Sequence, residues 1–200
     1  MKGFKTVDSF KALYYLLENP KFNQRWMSKD LGWHFGQKIN SFVTWLENFK
    51  FIRKTNETGK GKLRYEVTSR IELVKFYSRS RDMHDDVIDT YNIAAKHDDA
   101  VKFIGKNGGI LCLTTALELY GEEYFRDPVV HAYVSDTNLL SEMQNQVEGN
   151  TKVILYELKL PDETKIKKDL PVTSPTRTII DVFCNNMSYA VEKFIPKVWS

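Results

Sequence analysis

Apolar residues recur at helical spacing three times in the first fifty positions, and then the pattern changes to alternation. Phe10, Leu13, Tyr14 and Leu17 follow Asp8 and Ser9, either of which suits a helix start, and Asn19-Pro20 ends that segment. Trp26, Met27 and Leu31, as inward positions, predict a second short helix over Asn23 to Leu31, with Gly32 in the turn after it and Trp33 packed into the core beneath. From His34 to Phe49 the residues Phe35, Ile39, Phe42, Val43, Leu46 and Phe49 fall on one side at ~100° per residue, which predicts a third helix. Phe51 to Lys54 reads as a strand. The turn residues Asn56 to Gly61 come next, and Leu63, Tyr65 and Val67 alternate with Lys62, Arg64 and Glu66 as a half-buried strand should. An amphipathic helix over Ser69 to Ser80, with Ile71, Leu73, Val74 and Phe76 for packing, closes the region.

Beyond Asp82 the pattern is less regular. The acidic stretch to about Ile104 reads as one or two helices, and Ile104 to Gly109 as a loop. Ile110 to Tyr120 is a continuous apolar run that predicts a helix stopped by Gly121. Val129 to Val134 and Val153 to Tyr156 read as buried strands, separated by the polar segment Asn138 to Gly149. Ser174 suits a helix N-cap, Pro175 suits the first helical position, and Arg177 and Asp181 lie one turn apart. A last helix runs over about Ser188 to Lys197. The sum predicts an α+β protein: a winged helix-turn-helix domain over 1–81, a helical linker over 82–107, and a small mixed α+β domain over 108–200.

The polar side of the third helix carries the first chemical suggestion. Gln37, Asn40, Ser41, Thr44 and Asn48 share it, with no carboxylate among them. Amides and hydroxyls pair with base edges in the major groove, and recognition helices read mostly with their N-terminal turns. Gln37, Asn40, Ser41 and Thr44 are therefore the candidate base readers. Lys38 at the flank, and Arg53, Lys54, Lys60, Lys62 and Arg64 in the hairpin, are candidate phosphate contacts. Charge agrees: residues 1–81 hold 17 basic and 7 acidic side chains, a net of +10, while 82–200 hold 12 and 19, a net of −7. A polyanion such as double-stranded DNA is drawn to the first part and repelled by the second.

Other classes receive less support. Hydrophobic content of 42% is ample for a folded core, and no apolar run approaches the ~20 residues that span a bilayer. The first residues lack the apolar stretch of a signal peptide, and Cys112 and Cys184 read as reduced, buried thiols, so a cytoplasmic location is expected. No zinc-ligand spacing and no phosphate-binding glycine loop occurs; His84-Asp85-Asp86 and His97-Asp98-Asp99 read as solvated helix faces, so no metal or cofactor is expected.

The run Ser174-Pro175-Thr176-Arg177-Thr178-Ile179-Ile180-Asp181 resembles the Ser-Pro-x-Arg-Thr-x-x-Asp signature of the abortive-infection (AbiEi-like) antitoxins of type IV toxin–antitoxin systems. Thr176 replaces the acidic residue often found there. Gly108 to Gly121 is similar to that family's helix before the first sheet strand. The resemblance implies a winged helix joined to such a C-terminal domain, a transcriptional autorepressor, and a nucleotidyltransferase-like toxin as partner. It implies no catalytic role for Arg177 or Asp181, and the chain is expected not to be an enzyme. Two other readings stand beside it. Glu157-Leu158-Lys159 after a strand matches the Glu-x-Lys of metal-dependent nucleases, with Asp127 or Asp136 as the missing carboxylate. A C-terminal domain that senses a small molecule would make a one-component repressor.

Overall fold

The protein is a mixed α+β chain, and the computed structural model describes residues 6–55, 64–122, 128–135, 151–160 and 164–200. It divides into two compact units, residues 1–80 and 81–200.

The first unit begins with helix α1, Val7–Glu18. Its cap is Thr6 rather than Asp8 or Ser9: the Thr6 hydroxyl accepts the Ser9 N–H at 3.2 Å, and the Ser9 hydroxyl accepts the Thr6 N–H at 3.1 Å. A two-residue strand, β1 (Lys21–Phe22), leads into helix α2, Gln24–Asp30, whose first turn is held by Asn23 Oδ1 accepting the Trp26 N–H at 2.8 Å. Gly32, at φ +63°, turns the chain. Helix α3, Gln37–Asn48, is followed by strands β2 (Ile52–Thr55) and β3 (Arg64–Val67) and by helix α4, Arg70–Ser78. The strands form an antiparallel sheet in the order β1-β3-β2. Phe22, Ile52, Tyr65 and Val67 line one sheet face and are buried, together with Leu13, Leu16 and Leu17 of α1, Ile39, Val43 and Leu46 of α3, and Leu73, Val74 and Tyr77 of α4.

The second unit is built on a six-stranded mixed sheet. Its strands are β4 (Val87–Ile93), β5 (Ile110–Leu111), β6 (Val129–Val134), β7 (Thr151–Glu157), β8 (Lys165–Lys167) and β9 (Leu170–Val172), in the order β4-β7-β6-β5-β9-β8. β6 runs parallel to β7, and β5 parallel to β9; the other pairs are antiparallel. Val130, Ala132 and Val134 of β6, with Val153 and Leu155 of β7, pack against helix α5, His97–Lys106, through Ala100, Val101 and Ile104. The alternate positions His131, Tyr133 and Tyr156 face the other way, toward helices α6 (Leu113–Leu119) and α7 (Pro175–Cys184). A short 3₁₀ turn at Ser188–Val191 and helix α8, Ile195–Val198, end the chain.

Several expectations change here. Residues 82–107 are not a helical linker but part of the second unit: a 3₁₀ turn at Met83–Asp86, then β4 paired along β7 at the sheet edge, then α5. β4 is half exposed, so its polar Asp89, Thr90 and Asn92 imitate the solvent face of a helix. The apolar run from Ile110 splits, because Ile110–Leu111 joins the sheet and α6 starts only at Leu113. A run buried on every side carries no periodicity that separates strand from helix. The predicted last helix likewise resolves into the 3₁₀ turn and α8. The two His-Asp-Asp triplets lie in different elements, and among the described residues no three His, Cys, Asp or Glu side chains are grouped to hold a metal. No helix among them is long and apolar enough to cross a membrane. Asn138 to Gly149 lies outside the described residues.

Candidate nucleic-acid interface

Helix α3 buries Ile39, Val43 and Leu46 and turns Gln37, Lys38, Asn40, Ser41, Thr44 and Asn48 to solvent. The surface at the N-terminal turns is thus amide, hydroxyl and one ammonium. The apolar side is narrower than the spacing suggests. Phe35 is 56% exposed and Phe49 49%, while Phe42 and Trp45 are half buried. Phe35 precedes the helix proper, and Phe49 instead joins a surface cluster of rings with Trp45, Phe51 and Phe76. On α2, Trp26 is exposed rather than inward, and Trp33 is half buried.

Of the cations predicted for phosphate, those among the described residues are held by neighbours. Lys38 Nζ lies 2.6 Å from Asp8 Oδ2 and 4.3 Å from the centre of the Trp33 ring, and its hydrogen bond holds the Asp8 carboxyl below the usual range. Lys54 pairs with Glu47 of α3 at 3.0 Å, which raises the ammonium's pKa. Arg53 donates from Nε (2.9 Å) and Nη2 (2.7 Å) to Glu66 Oε2, lowering that carboxyl's pKa. The Arg64 guanidinium lies 6.0 Å from the Trp26 ring centre. Exposed pairs of this kind contribute little to stability. They also fall on two sides of the sheet. Arg53 is opposite Glu66, and Thr55 opposite Arg64, on the outer face; Lys54 is opposite Tyr65, on the face that carries the core. Lys60 and Lys62 lie outside the described residues.

The second unit contains a charged network that local spacing does not show. Arg177 donates from Nε to both Asp181 oxygens (2.9 and 2.8 Å) and from Nη2 to the Tyr133 hydroxyl (2.8 Å); Tyr133 donates in turn to Asp181 Oδ2 at 2.9 Å. Arg81 bridges Asp181 (3.1 Å) and Asp86 (2.8 Å). Arg177 and Asp181 are fully buried. Burial works against the charge of both arginines, but Asp181 and Tyr133, with Asp86 also acting on Arg81, together outweigh it and their pKa values rise. The expected Arg177–Asp181 pair is therefore present. Arg81, Asp86 and Tyr133 carry no sequence signal for it, because they come from elements far apart along the chain.

Each polar position of the Ser174–Asp181 run has a structural task. Ser174 Oγ accepts the Arg177 N–H at 3.2 Å, Pro175 occupies the first turn, and Thr178 donates to the Ser174 carbonyl at 2.9 Å. Lys159 sits between Glu157 (3.2 Å) and Asp86 (3.1 Å), so the carboxylate that meets the Glu-x-Lys pair is Asp86. Asp86 is also bound by Arg81, and the group is charge-balanced as it stands. Asp127 and Asp136 lie outside the described residues.

Cys112 and Cys184 are free and buried. Burial pushes the Cys184 thiol up to about 12 from its ordinary 9.0. A folded-state value above the unfolded one contributes stability that is complete below pH ~9 and is lost as pH rises toward ~12. Thermal melts from pH 8 to 11 are expected to show the second unit weakening across this window, and Cys184→Ala to flatten that decline. An unchanged slope in the variant would assign the alkaline loss to other groups, Tyr133 among them.

Comparison with known proteins finds no family model that matches this chain and no curated protein that matches it.

Proposed function

We propose that residues 6–80 form a winged helix that binds duplex DNA, and that the chain is a sequence-specific transcriptional regulator. The observation that carries this reading is α3: a buried apolar stripe opposite an exposed, carboxylate-free row of Gln37, Asn40, Ser41 and Thr44. The element order helix, strand, helix, helix, strand, strand and the sheet order β1-β3-β2 support that reading. The net positive charge of this region supplies the long-range attraction. Gln37, Asn40, Ser41 and Thr44 read bases. Lys38, Arg53 and Lys54 neutralise phosphate after exchanging their carboxylate partners, and Arg64, Lys60 and Lys62 serve the same task.

The narrower reading is an autorepressing antitoxin. It rests on the Ser174–Asp181 resemblance and on the acidic second part of the chain, which suits a basic nucleotidyltransferase-like toxin. In that reading the Ser-Pro-x-Arg-Thr-x-x-Asp run builds the domain and performs no chemistry.

Selection of the full chain on a pool of random 30-bp duplexes tests the proposal. A recurring motif is expected to emerge. Asn40→Ala is then expected to lose about 1–3 kcal/mol on the selected duplex, with relaxed preference at one base pair and little loss on the unselected pool. Equal losses on both pools would remove Asn40 from base reading.

A further inference from the structure

The first unit has a second cationic surface that α3 does not explain. In the β1-β3-β2 sheet, Lys21, Glu66 and Arg53 form one cross-strand row, and Arg64 and Thr55 form the next. The intervening positions Phe22, Tyr65, Ile52 and Val67 are buried on the opposite face, so these five residues share the outer face. The face presents its cations outward: the Arg53 side chain is 69% exposed, and the carboxylate that holds it, Glu66, only 25%. At its margin stands Trp26, with an indole 53% exposed and the Arg64 guanidinium near its ring. The Asn23 cap fixes the first turn of α2 and so the backbone that carries Trp26.

We propose that this outer sheet face, Lys21, Arg53 and Arg64 with Trp26, is a contact surface for the sugar–phosphate backbone of duplex DNA, additional to the groove-facing side of α3. The inference rests on the DNA-binding reading above and extends the interface to a strand and a helix outside the predicted site. The chemistry selects the partner. Among the described residues, three cations share this face with one recessed carboxylate, a balance that attracts a polyanion, and guanidinium and ammonium groups match phosphate oxygens. The flat apolar indole covers deoxyribose, and its single N–H donates to a phosphate oxygen. An acidic protein surface would satisfy the cations but gives no reason for an exposed donor-only ring beside Arg64.

The experiment titrates the full chain with a 30-bp random-sequence duplex and follows both anisotropy of the labelled DNA and tryptophan fluorescence. Trp26→Ala is expected to weaken binding about 2- to 5-fold on every sequence, with the salt slope unchanged. Lys21→Ala is expected to weaken binding and to flatten the salt slope by about 1. Duplex is expected to change the fluorescence of the parent chain, and much of that change to vanish in Trp26→Phe. The thermal midpoint of Trp26→Ala should match the parent, because the ring is exposed. Parent-like binding by Trp26→Ala and Lys21→Ala, while Lys38→Ala on α3 weakens it, would overturn this face and leave the DNA-binding reading intact. Trp26-dependent binding that favours a 30-nucleotide single strand over duplex would also overturn it, in favour of base stacking. Absence of duplex binding by the parent chain would remove the underlying reading itself.

Discussion

Asp181→Ala is expected to destabilise residues 81–200 by about 3–5 kcal/mol, a large share of an ordinary domain's stability. The carboxylate accepts from Arg177, Arg81 and Tyr133 at once, in a site without solvent. Removing it takes away the carboxylate that Arg177 grips and leaves Arg81 to Asp86. Arginine does not escape by losing a proton, so the whole cost falls on folding. Asp181→Asn is expected to cost less, since an amide oxygen still accepts from one arginine. Urea denaturation followed by hydrogen exchange in β6 and β7 reads the effect, because these central strands open only with the unit. A loss below ~1 kcal/mol would mean that the network is wet and does not organise the second unit. The first unit, which shares none of these residues, is expected to keep its own exchange protection.

The network also marks how far the sequence was legible. Arg177 and Asp181 stand one helical turn apart and behind a Ser-Pro start, so their pairing follows from local geometry. Tyr133 is a strand residue 48 positions before Asp181, and Arg81 lies 100 before it. Only the sheet order and the placement of α7 bring them together. The same distinction runs through the fold. α2, α3 and α4 are short amphipathic helices with Asn23, Gly32 and Ser69 as punctuation, and their spacing predicts them to within a few residues. β4 is a half-exposed edge strand with polar residues on both faces, so neither alternation nor helical spacing is clean. β5, β8 and β9 are only two or three residues long. They exist as strands because their neighbours supply hydrogen bonds, which is a tertiary fact.

In the candidate interface, the exposure of Gln37, Asn40, Ser41 and Thr44 followed from the position of Ile39, Val43 and Leu46. The carboxylates that hold the cations did not follow. Asp8 comes from α1 and Glu66 from the opposing strand, and both look like ordinary solvated acids in the sequence. Trp26 was expected inside because it is large and apolar, yet Met27 takes the inward position next to it. One residue on a helix is a rotation of ~100°, enough to exchange core for surface.

The second large effect is on salt dependence. Seven cations, Lys21, Lys38, Arg53, Lys54, Lys60, Lys62 and Arg64, engaging phosphate give a slope of log affinity against log salt near −6. Each of Lys38, Arg53 and Lys54 that keeps its carboxylate in the complex removes about 1 from that figure. The expected slope therefore lies between about −3 and −6. Raising salt from 50 to 200 mM should then weaken binding by about 60-fold to about 4,000-fold. Anisotropy of a labelled 30-bp duplex titrated with the full chain at 50, 100 and 200 mM salt measures this directly. Saturable binding at 50 mM that falls along such a line is the predicted result. No binding at 50 mM, or binding indifferent to salt, would contradict the assignment of residues 6–80 to duplex DNA.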